Sequence, residues 1–350
     1  MRLLITLDFP PEKGGIQRYL DGIVRHTFTA KDLVFAGGNC KVEVTRPYPC
    51  EVRWFRCVLG KINRKYMLLK MVVPLVVVLL KKRGDVQVEC GNLSAAILPY
   101  ITAHFLDCPY SVYTHGTELI GLEKGGGRSL FFRAVLKKAQ KVVVVGSYTR
   151  TLLEKCGYEG VFEVVVPRIE LGEALPEKKV RAEVRLISVG RLVHHKGHDL
   201  LLKALGGFPD SVEWSLVIAG SGPQRGELIA LREVLGLQSK VVFKEGVSDS
   251  ELGALYRDSD LFVLCSRETQ GGTEGFGIVL LEAMAHNVAV VASNAGGIPE
   301  VLGYGECGLL VEPGSVEALR GGLLKMVTDV SLRSRYVQKA ARRLREQYVW

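Results

Sequence analysis

The chain has 350 residues, 47% of them hydrophobic and 24% charged, with 39 Gly and 13 Pro. That is enough apolar material for two cores, and the composition excludes a disordered or low-complexity chain; no period of 20–50 residues recurs, which excludes a solenoid. The formal charge of +9 is unevenly placed: residues 1–170 hold 25 Lys and Arg against 15 Asp and Glu, whereas residues 171–350 hold 21 against 22. A basic half serves either solubility or an anionic partner, such as lipid headgroups, an acidic acceptor or nucleic acid.

From the N-terminus, Leu3–Leu7 reads as a short strand that runs into Asp8. It is too short for the apolar region of a signal peptide. The eight cysteines (Cys40, Cys50, Cys57, Cys90, Cys108, Cys156, Cys265 and Cys307) form no CxxC pair. Together these features read as reduced thiols in a cytoplasmic protein without a zinc site. After the strand, Asp8-Phe9-Pro10-Pro11-Glu12-Lys13-Gly14-Gly15 leads into a helical pattern. A Gly-Gly turn at a helix start lets backbone N–H groups approach a phosphate, although such turns are often only turns. Tyr66 to Leu80 is a nearly continuous apolar run flanked by Lys61, Arg64 and Lys65 on one side and Lys81, Lys82 and Arg83 on the other. It falls short of the roughly 20 residues a spanning helix needs and is broken by Lys70 and Pro74. The reading adopted is a buried helix feeding the strand Val86–Cys90; the alternative is a segment lying on a membrane surface through its basic flanks.

Further runs, Ser111–Thr114, Val142–Val145, Leu186–Val189, Ser215–Ala219, Val241–Phe243, Leu261–Leu264 and Val288–Ala292, are β-branched and continuous rather than alternating. This is the pattern of parallel strands covered on both faces, and its alternation with helices implies an α/β chain with doubly wound sheets. The polar stretch Pro167–Val184 separates two strand series. The expected organisation is two Rossmann-like domains, 1–168 and 185–330, facing a central cleft across a linker at 169–184. A basic helix at 331–350, which returns toward the first domain, completes it.

In the second half, Gly190-Arg191-Leu192-Val193-His194-His195-Lys196-Gly197 follows a strand, so two cations stand on one loop where a leaving diphosphate would gain negative charge. His194, His195 and His198 have the wrong spacing for a metal pair and read as loop residues. Gly220-Ser221-Gly222-Pro223 fails the dinucleotide fingerprint and reads as a tight turn. Ser248 to Glu251 forms a capping box, and Asp258-Ser259-Asp260 reads as a helix end and strand start rather than a metal motif. Thr273-Glu274-Gly275-Phe276-Gly277 is a turn, and a helix follows from Ile278. Glu274 then stands at the helix mouth and Glu282 roughly 10 Å further along. That separation suits a ligand carrying two sugars, with helix N–H groups facing a diphosphate between them.

The line GRLVHHKG, IAGSGP, EGFGIVLLEAMA, VVASNAGGIPEVL and GLLVEPG resembles the GT4 family of retaining glycosyltransferases, whose fold is GT-B. The first half contributes LDFPPEKGGIQRYL and Thr114-His115-Gly116-Thr117-Glu118. The stretch Ser266 to Gly272 resembles the branch of the phosphatidylinositol mannoside mannosyltransferases. The resemblance implies that Gly190, Arg191 and Lys196 hold the donor diphosphate and that Gly14 and Gly15 lie against the phosphates. Glu274 would hold the hexose beside the Gly275, Phe276 and Gly277 backbone, Glu282 the ribose, and Gly246 and Val247 the base. His115 would contact the sugar and Asp8 would lie near the reacting hydroxyl. The implied donor is GDP-mannose ahead of UDP-sugars, with no cofactor and no metal. The implied acceptor is a hydroxyl, lipid-linked or on an anionic glycan, met at the inner face of the cell membrane by the first domain. Departures from the family pattern are His286-Asn287 in place of a glycine and Pro167-Arg168-Ile169-Glu170 at the junction. The chain also stops at Trp350, where relatives continue into a crossover helix. A nucleotide-sugar epimerase of the same fold and a non-catalytic sugar- or nucleotide-binding protein are the alternatives. Nucleic acid is not expected as a partner, and the residues carry no statement of oligomeric state.

Overall fold

The structure, a computed structural model, describes residues 1–38, 47–55, 64–82, 84–122, 125–172, 181–269 and 271–350. Cys40, Cys57, Lys61, Arg83 and Gln270, the side chains of Arg64 and Lys65, and most of the expected linker lie outside the described residues. The chain divides into two compact units, Met1–Pro167 and Arg168–Trp350.

The first unit begins β1 (Arg2–Thr6), α1 (Gly15–Thr27), β2 (Leu33–Gly37), β3 (Glu51–Phe55), α2 (Arg64–Lys82) and β4 (Gln87–Cys90). It continues α3 (Ile97–Thr102), β5 (Tyr110–Thr114), α4 (Gly127–Lys138), β6 (Lys141–Val144), α5 (Ser147–Lys155) and β7 (Phe162–Val164). Among the described residues its sheet has the order β3-β2-β1-β4-β5-β6-β7, and every pairing is parallel. Leu3 faces both Leu33 and Val88 in register, and Leu3, Leu4 and Ile5 are fully buried. Consecutive burial means both faces of the strand are covered, which is why the run is apolar without alternation. Each such side chain contributes roughly 1.5–3 kcal/mol on burial.

The second unit runs β8 (Val184–Val189), α6 (His198–Leu205), β9 (Trp214–Ala219), α7 (Arg225–Val234), β10 (Val241–Lys244) and α8 (Asp249–Asp258). Then follow β11 (Leu261–Leu264), α9 (Ile278–Ala285), β12 (Ala289–Ser293), α10 (Ile298–Val301), β13 (Leu309–Val311), α11 (Val316–Thr328) and α12 (Val330–Gln347). The sheet order is β10-β9-β8-β11-β12-β13. Both sheets are therefore doubly wound, and each reverses direction beside its first strand: between β1 and β4, and between β8 and β11.

The expected strands all form, shifted by one or two residues at their ends. Ser248 caps α8 as expected, accepting from the Glu251 N–H while Glu251 accepts from the Ser248 N–H at 2.7 Å. Two expectations are corrected. Tyr66–Leu80 is not simply buried: α2 buries Met67, Met71, Leu75, Val78 and Leu79, while Tyr66, Leu69, Val73, Val77 and Leu80 stay exposed. A run that is apolar all round does not reveal which face meets the core. His198 is not a loop residue but the first residue of α6, and it is fully buried. The basic helix ends at Gln347, and beyond it Val349 bridges Ile169 within the second unit.

Candidate active site

At the carboxyl end of a doubly wound sheet, the loops beside the reversal point diverge and leave a crevice. In the first unit those loops follow β1 and β4. Asp8, only 6% exposed, follows β1. Asn92, which follows β4, donates its amide to Asp8 Oδ2 at 2.5 Å, and Gln17 of α1 donates to Oδ1 at 3.4 Å. Asn92 Oδ1 accepts from the Ala95 N–H at 2.8 Å, which fixes the orientation of its amide. The Asp8 carboxylate is thus aimed by two neutral donors. Beside it, the His115 ring at the end of β5 has Nε2 2.8 Å from the Gly91 carbonyl. A carbonyl only accepts, so Nε2 carries a proton and Nδ1 is the nitrogen left to accept in the neutral ring. The Tyr19 ring meets His115 edge-on at 5.8 Å, and the His115 N–H donates to Glu118 at 2.6 Å. Gly14 caps α1 and Gly15 opens it.

In the second unit the corresponding loops follow β8 and β11. The β8 loop turns through Gly190 and exposed Arg191 into a short 3-10 turn, His194–Lys196. Gly197 then enters α6 in the left-handed region at φ 68, and a Cβ there would stand 2.1 Å from the Cys265 carbonyl. Only glycine lets the loop pass so closely over the end of β11. The two loops are joined by an ion pair between Lys196 Nζ and Glu274 Oε2, both largely shielded, and Ser266 Oγ donates to the same oxygen at 3.3 Å. An ammonium has three N–H donors, so Lys196 can keep Glu274 and still serve an anion. Arg267 ties the loops a second time: it donates to Asp199 at 2.9 Å and to the His194 carbonyl at 3.1 Å.

Glu282 sits on α9, buried, with the Tyr256 hydroxyl donating to it at 3.0 Å. Tyr256 stacks on His286 at 5.2 Å, and His286 Nδ1 lies 2.7 Å from the Glu282 carbonyl. Phe276 is buried against Tyr348 at 5.8 Å, so it anchors the turn and leaves the Gly275 to Gly277 backbone as the part able to face a ligand. Gly246 and Val247 follow β10 at the same carboxyl edge, with Gly246 exposed at φ 65. The structure therefore joins Lys196 and Glu274 directly and holds Arg191, Glu282, Gly246 and Val247 on loops or helices of one sheet edge. Asp8, His115, Gly14 and Gly15 belong to the first unit. Asn92, Tyr256, Arg267 and Asp199 were not anticipated, since each acts through a contact distant in sequence. Asp258 and Asp260 serve the fold: Asp258 pairs with Arg181 and Arg185, and Asp260 accepts from the Arg185 N–H at 3.0 Å. Among the described residues no three His, Cys, Asp or Glu gather as metal ligands.

Burial, and then the nearby Lys196 charge, lower the pKa of two imidazoles here, His195 in the loop and His198 at the start of α6. His195 is lowered from its usual range, and His198 is pushed down from 6.5 to about 4, offset in part by the Arg191 carbonyl. His198 Nδ1 lies 3.3 Å from Ser188 Oγ, and its buried Nε2 has no partner within hydrogen-bond geometry among the described residues.

The same pair of doubly wound sheets is found in sucrose-phosphate synthase from Thermosynechococcus elongatus. That structure aligns with TM-score 0.82 and 20% identity over 100% of this chain and 95% of that one. The Anabaena HepE structure with UDP and glucose aligns with TM-score 0.78 and 19% identity over 99% and 95%. The fold is GT-B, and the chain is a glycosyltransferase. The family model of glycosyl transferases group 1 matches residues 175–343, nearly all of the second unit. Among its relatives is the GDP-mannose-dependent alpha-(1-6)-phosphatidylinositol monomannoside mannosyltransferase of Mycolicibacterium smegmatis, 29% identical over 93% of this chain and 89% of the relative. An uncharacterized glycosyltransferase of Methanocaldococcus jannaschii is 35% identical over 48% of this chain and 42% of its own. These relatives speak for sugar transfer and against the epimerase alternative.

Two predictions concern how the loops are held. Gly296 stands at φ 58 with a Cβ position 2.2 Å from the Glu274 carbonyl. Gly296→Ala is expected to cost about 1–3 kcal/mol of stability in chemical denaturation and to speed amide exchange across residues 273–277. For His198, the folded state resists protonation while the unfolded state accepts it at 6.5. Its contribution is complete above that pH and is lost as pH falls toward 4, by about 3 kcal/mol in all. Denaturation midpoints of wild type and His198→Gln across this window should therefore diverge, with the wild type showing the steeper acid loss.

Proposed function

We propose that the chain moves a mannosyl group from GDP-mannose to a hydroxyl of a lipid-linked acceptor, with retention at the sugar carbon and without a metal, working peripherally at the cytoplasmic face of a membrane. The observation that carries the reading is the Lys196–Glu274 pair across the reversal point of the second sheet. One cation and one carboxylate side by side in that crevice suit the diphosphate and the hydroxyls of a sugar diphosphate. The Mycolicibacterium relative and its GDP-mannose dependence support the choice of donor and the lipid acceptor.

Under this reading Arg191 and Lys196 hold the diphosphate beside Gly190. The backbone N–H groups at the start of α9, from Gly275 to Gly277, face the same charge. Glu274 accepts from hexose hydroxyls, and Glu282, aimed by Tyr256, accepts from the ribose. Gly246 and Val247 border the base. From the first unit, Gly14 and Gly15 serve the phosphates, His115 the sugar, and Asp8 the acceptor hydroxyl. The C1–O bond to the diphosphate breaks while the acceptor oxygen attacks from the same face, and its proton passes to the departing phosphate oxygen. The protein contributes positioning and fixed positive charge where negative charge grows.

Titration calorimetry with GDP-mannose, UDP-glucose and UDP-N-acetylglucosamine tests the donor. GDP-mannose should bind, and Glu282→Ala should weaken it about ten-fold or more, the worth of one charge-assisted hydrogen bond. Lys196→Ala should lower kcat by about 10²–10³. Preference for a uridine donor would overturn the choice of base, and no binding by any of the three would overturn the reading.

A further inference from the structure

The turn Gly220-Ser221-Gly222-Pro223 leads from β9 toward α7 and has no part in the proposed donor site. Because β8 and β9 are neighbours, it lies alongside the loop that follows β8. Backbone bonds join the two. Leu192 N–H donates to the Ser221 carbonyl at 2.8 Å, and Gln224 N–H donates to the Leu192 carbonyl at 3.0 Å. On the other side of Arg191, Gly190 N–H donates to the Ala219 carbonyl at 3.1 Å. The Leu192 side chain is fully buried in the core of the second unit.

Two glycines let the loops come so close. A Cβ at Gly220 would overlap the Gly190 carbonyl oxygen. A Cβ at Gly222 would overlap the Leu192 carbonyl oxygen and stand 2.7 Å from the Leu192 nitrogen. These neighbours are backbone atoms, which cannot turn aside as a side chain can. A larger residue must push the β8 loop away by roughly an ångström, a displacement large enough to undo a positioned group. By contrast, a Cβ at Gly226 meets nothing within 4 Å. Arg191 stands between the two points of contact, its backbone fixed on both sides and its side chain exposed. A long flexible side chain costs entropy to place, and a fixed root lowers that cost. Gly220 N–H also donates to the Lys244 carbonyl at 2.9 Å, so the turn is itself braced from β10.

We propose that Gly220 and Gly222 are positioning residues for Arg191. They hold the β8 loop, before any nucleotide arrives, where the Arg191 guanidinium meets the donor diphosphate. The proposal rests on the reading of Arg191 as a diphosphate ligand and is independent of the base, the sugar and the acceptor.

Titration calorimetry of the full chain with GDP and with UDP tests it, using whichever nucleotide binds the wild type. Arg191→Ala should weaken binding about ten-fold or more, the loss of a charge-assisted contact. Gly222→Ala should weaken it about ten-fold alone and less than about two-fold in the Arg191→Ala background, because groups that act as a unit are not additive. Its loss of stability in denaturant should be the same in both backgrounds. Ser221→Ala and Gly226→Ala leave the backbone contacts in place and should bind as the wild type does. Equal weakening by Gly222→Ala in both backgrounds, or weakened binding by Ser221→Ala, would overturn the proposal and leave the reading of Arg191 standing. Arg191→Ala binding as tightly as the wild type, or a wild type that binds neither nucleotide, would overturn both. Amide exchange of the wild type decides the matter where Gly222→Ala does not fold. The Leu192 and Gln224 N–H groups should exchange slowly without nucleotide, and nucleotide should slow them no more than it slows the core strands. Slowing beyond that would show a loop ordered by its ligand and would overturn the proposal.

Discussion

Lys196 and Glu274 are 78 residues apart in sequence, yet they form one shielded ion pair because β8 and β11 are neighbours in space. That adjacency follows from the order of the sheet. β9 and β10 extend it to one side of β8, β11 starts the other, and the loops at the reversal must part. The opening is charged by default, since the loop ends carry Arg191 and Lys196 on one side and Glu274 on the other. Much of the surrounding structure holds these loops at the right distance. Arg267 bonds across them, Gly197 lets one pass over the end of β11, and Gly296 lets the next turn press against the Glu274 backbone.

The first sheet repeats the arrangement in a different chemistry. Its reversal lies between β1 and β4, and the groups there are one buried carboxylate, Asp8, and one imidazole, His115, each aimed by neutral neighbours. The two units therefore differ as their roles differ in the proposed reading: fixed positive charge for a leaving diphosphate in one, an oriented acceptor and a defined imidazole tautomer in the other. Nine of the first unit's basic residues lie on α2 and α4, which carry no Asp or Glu.

Much of this was legible in the sequence. Continuous β-branched runs announced buried parallel strands, and the segments carrying Arg191, Lys196, Glu274 and Glu282 stood out through their motifs. Strands β2, β3, β7 and β13 were not among those runs: the last three are edge strands, covered less evenly, with Glu51 and Glu163 exposed on β3 and β7, whereas β2 is buried throughout and nothing in its residues explains the omission. The supporting contacts were illegible for another reason. Asn92 to Asp8, Tyr256 to Glu282 and Arg267 to Asp199 each join residues distant in sequence, and nothing local in those residues marks them. The two faces of α2 were indistinguishable because leucine and valine occupy both. Burial of His198 was hidden by its place in a run of polar loop residues.

The most direct test of the central claim, that the Lys196–Glu274 crevice is the donor site, is a crystal structure of the chain with GDP bound. The account predicts diphosphate oxygens about 3 Å from Lys196 Nζ and ribose hydroxyls at a similar distance from the Glu282 carboxylate. Nucleotide bound away from the carboxyl edge of the second sheet, with Lys196 and Glu274 paired as before and nothing between β8 and β11, would contradict it.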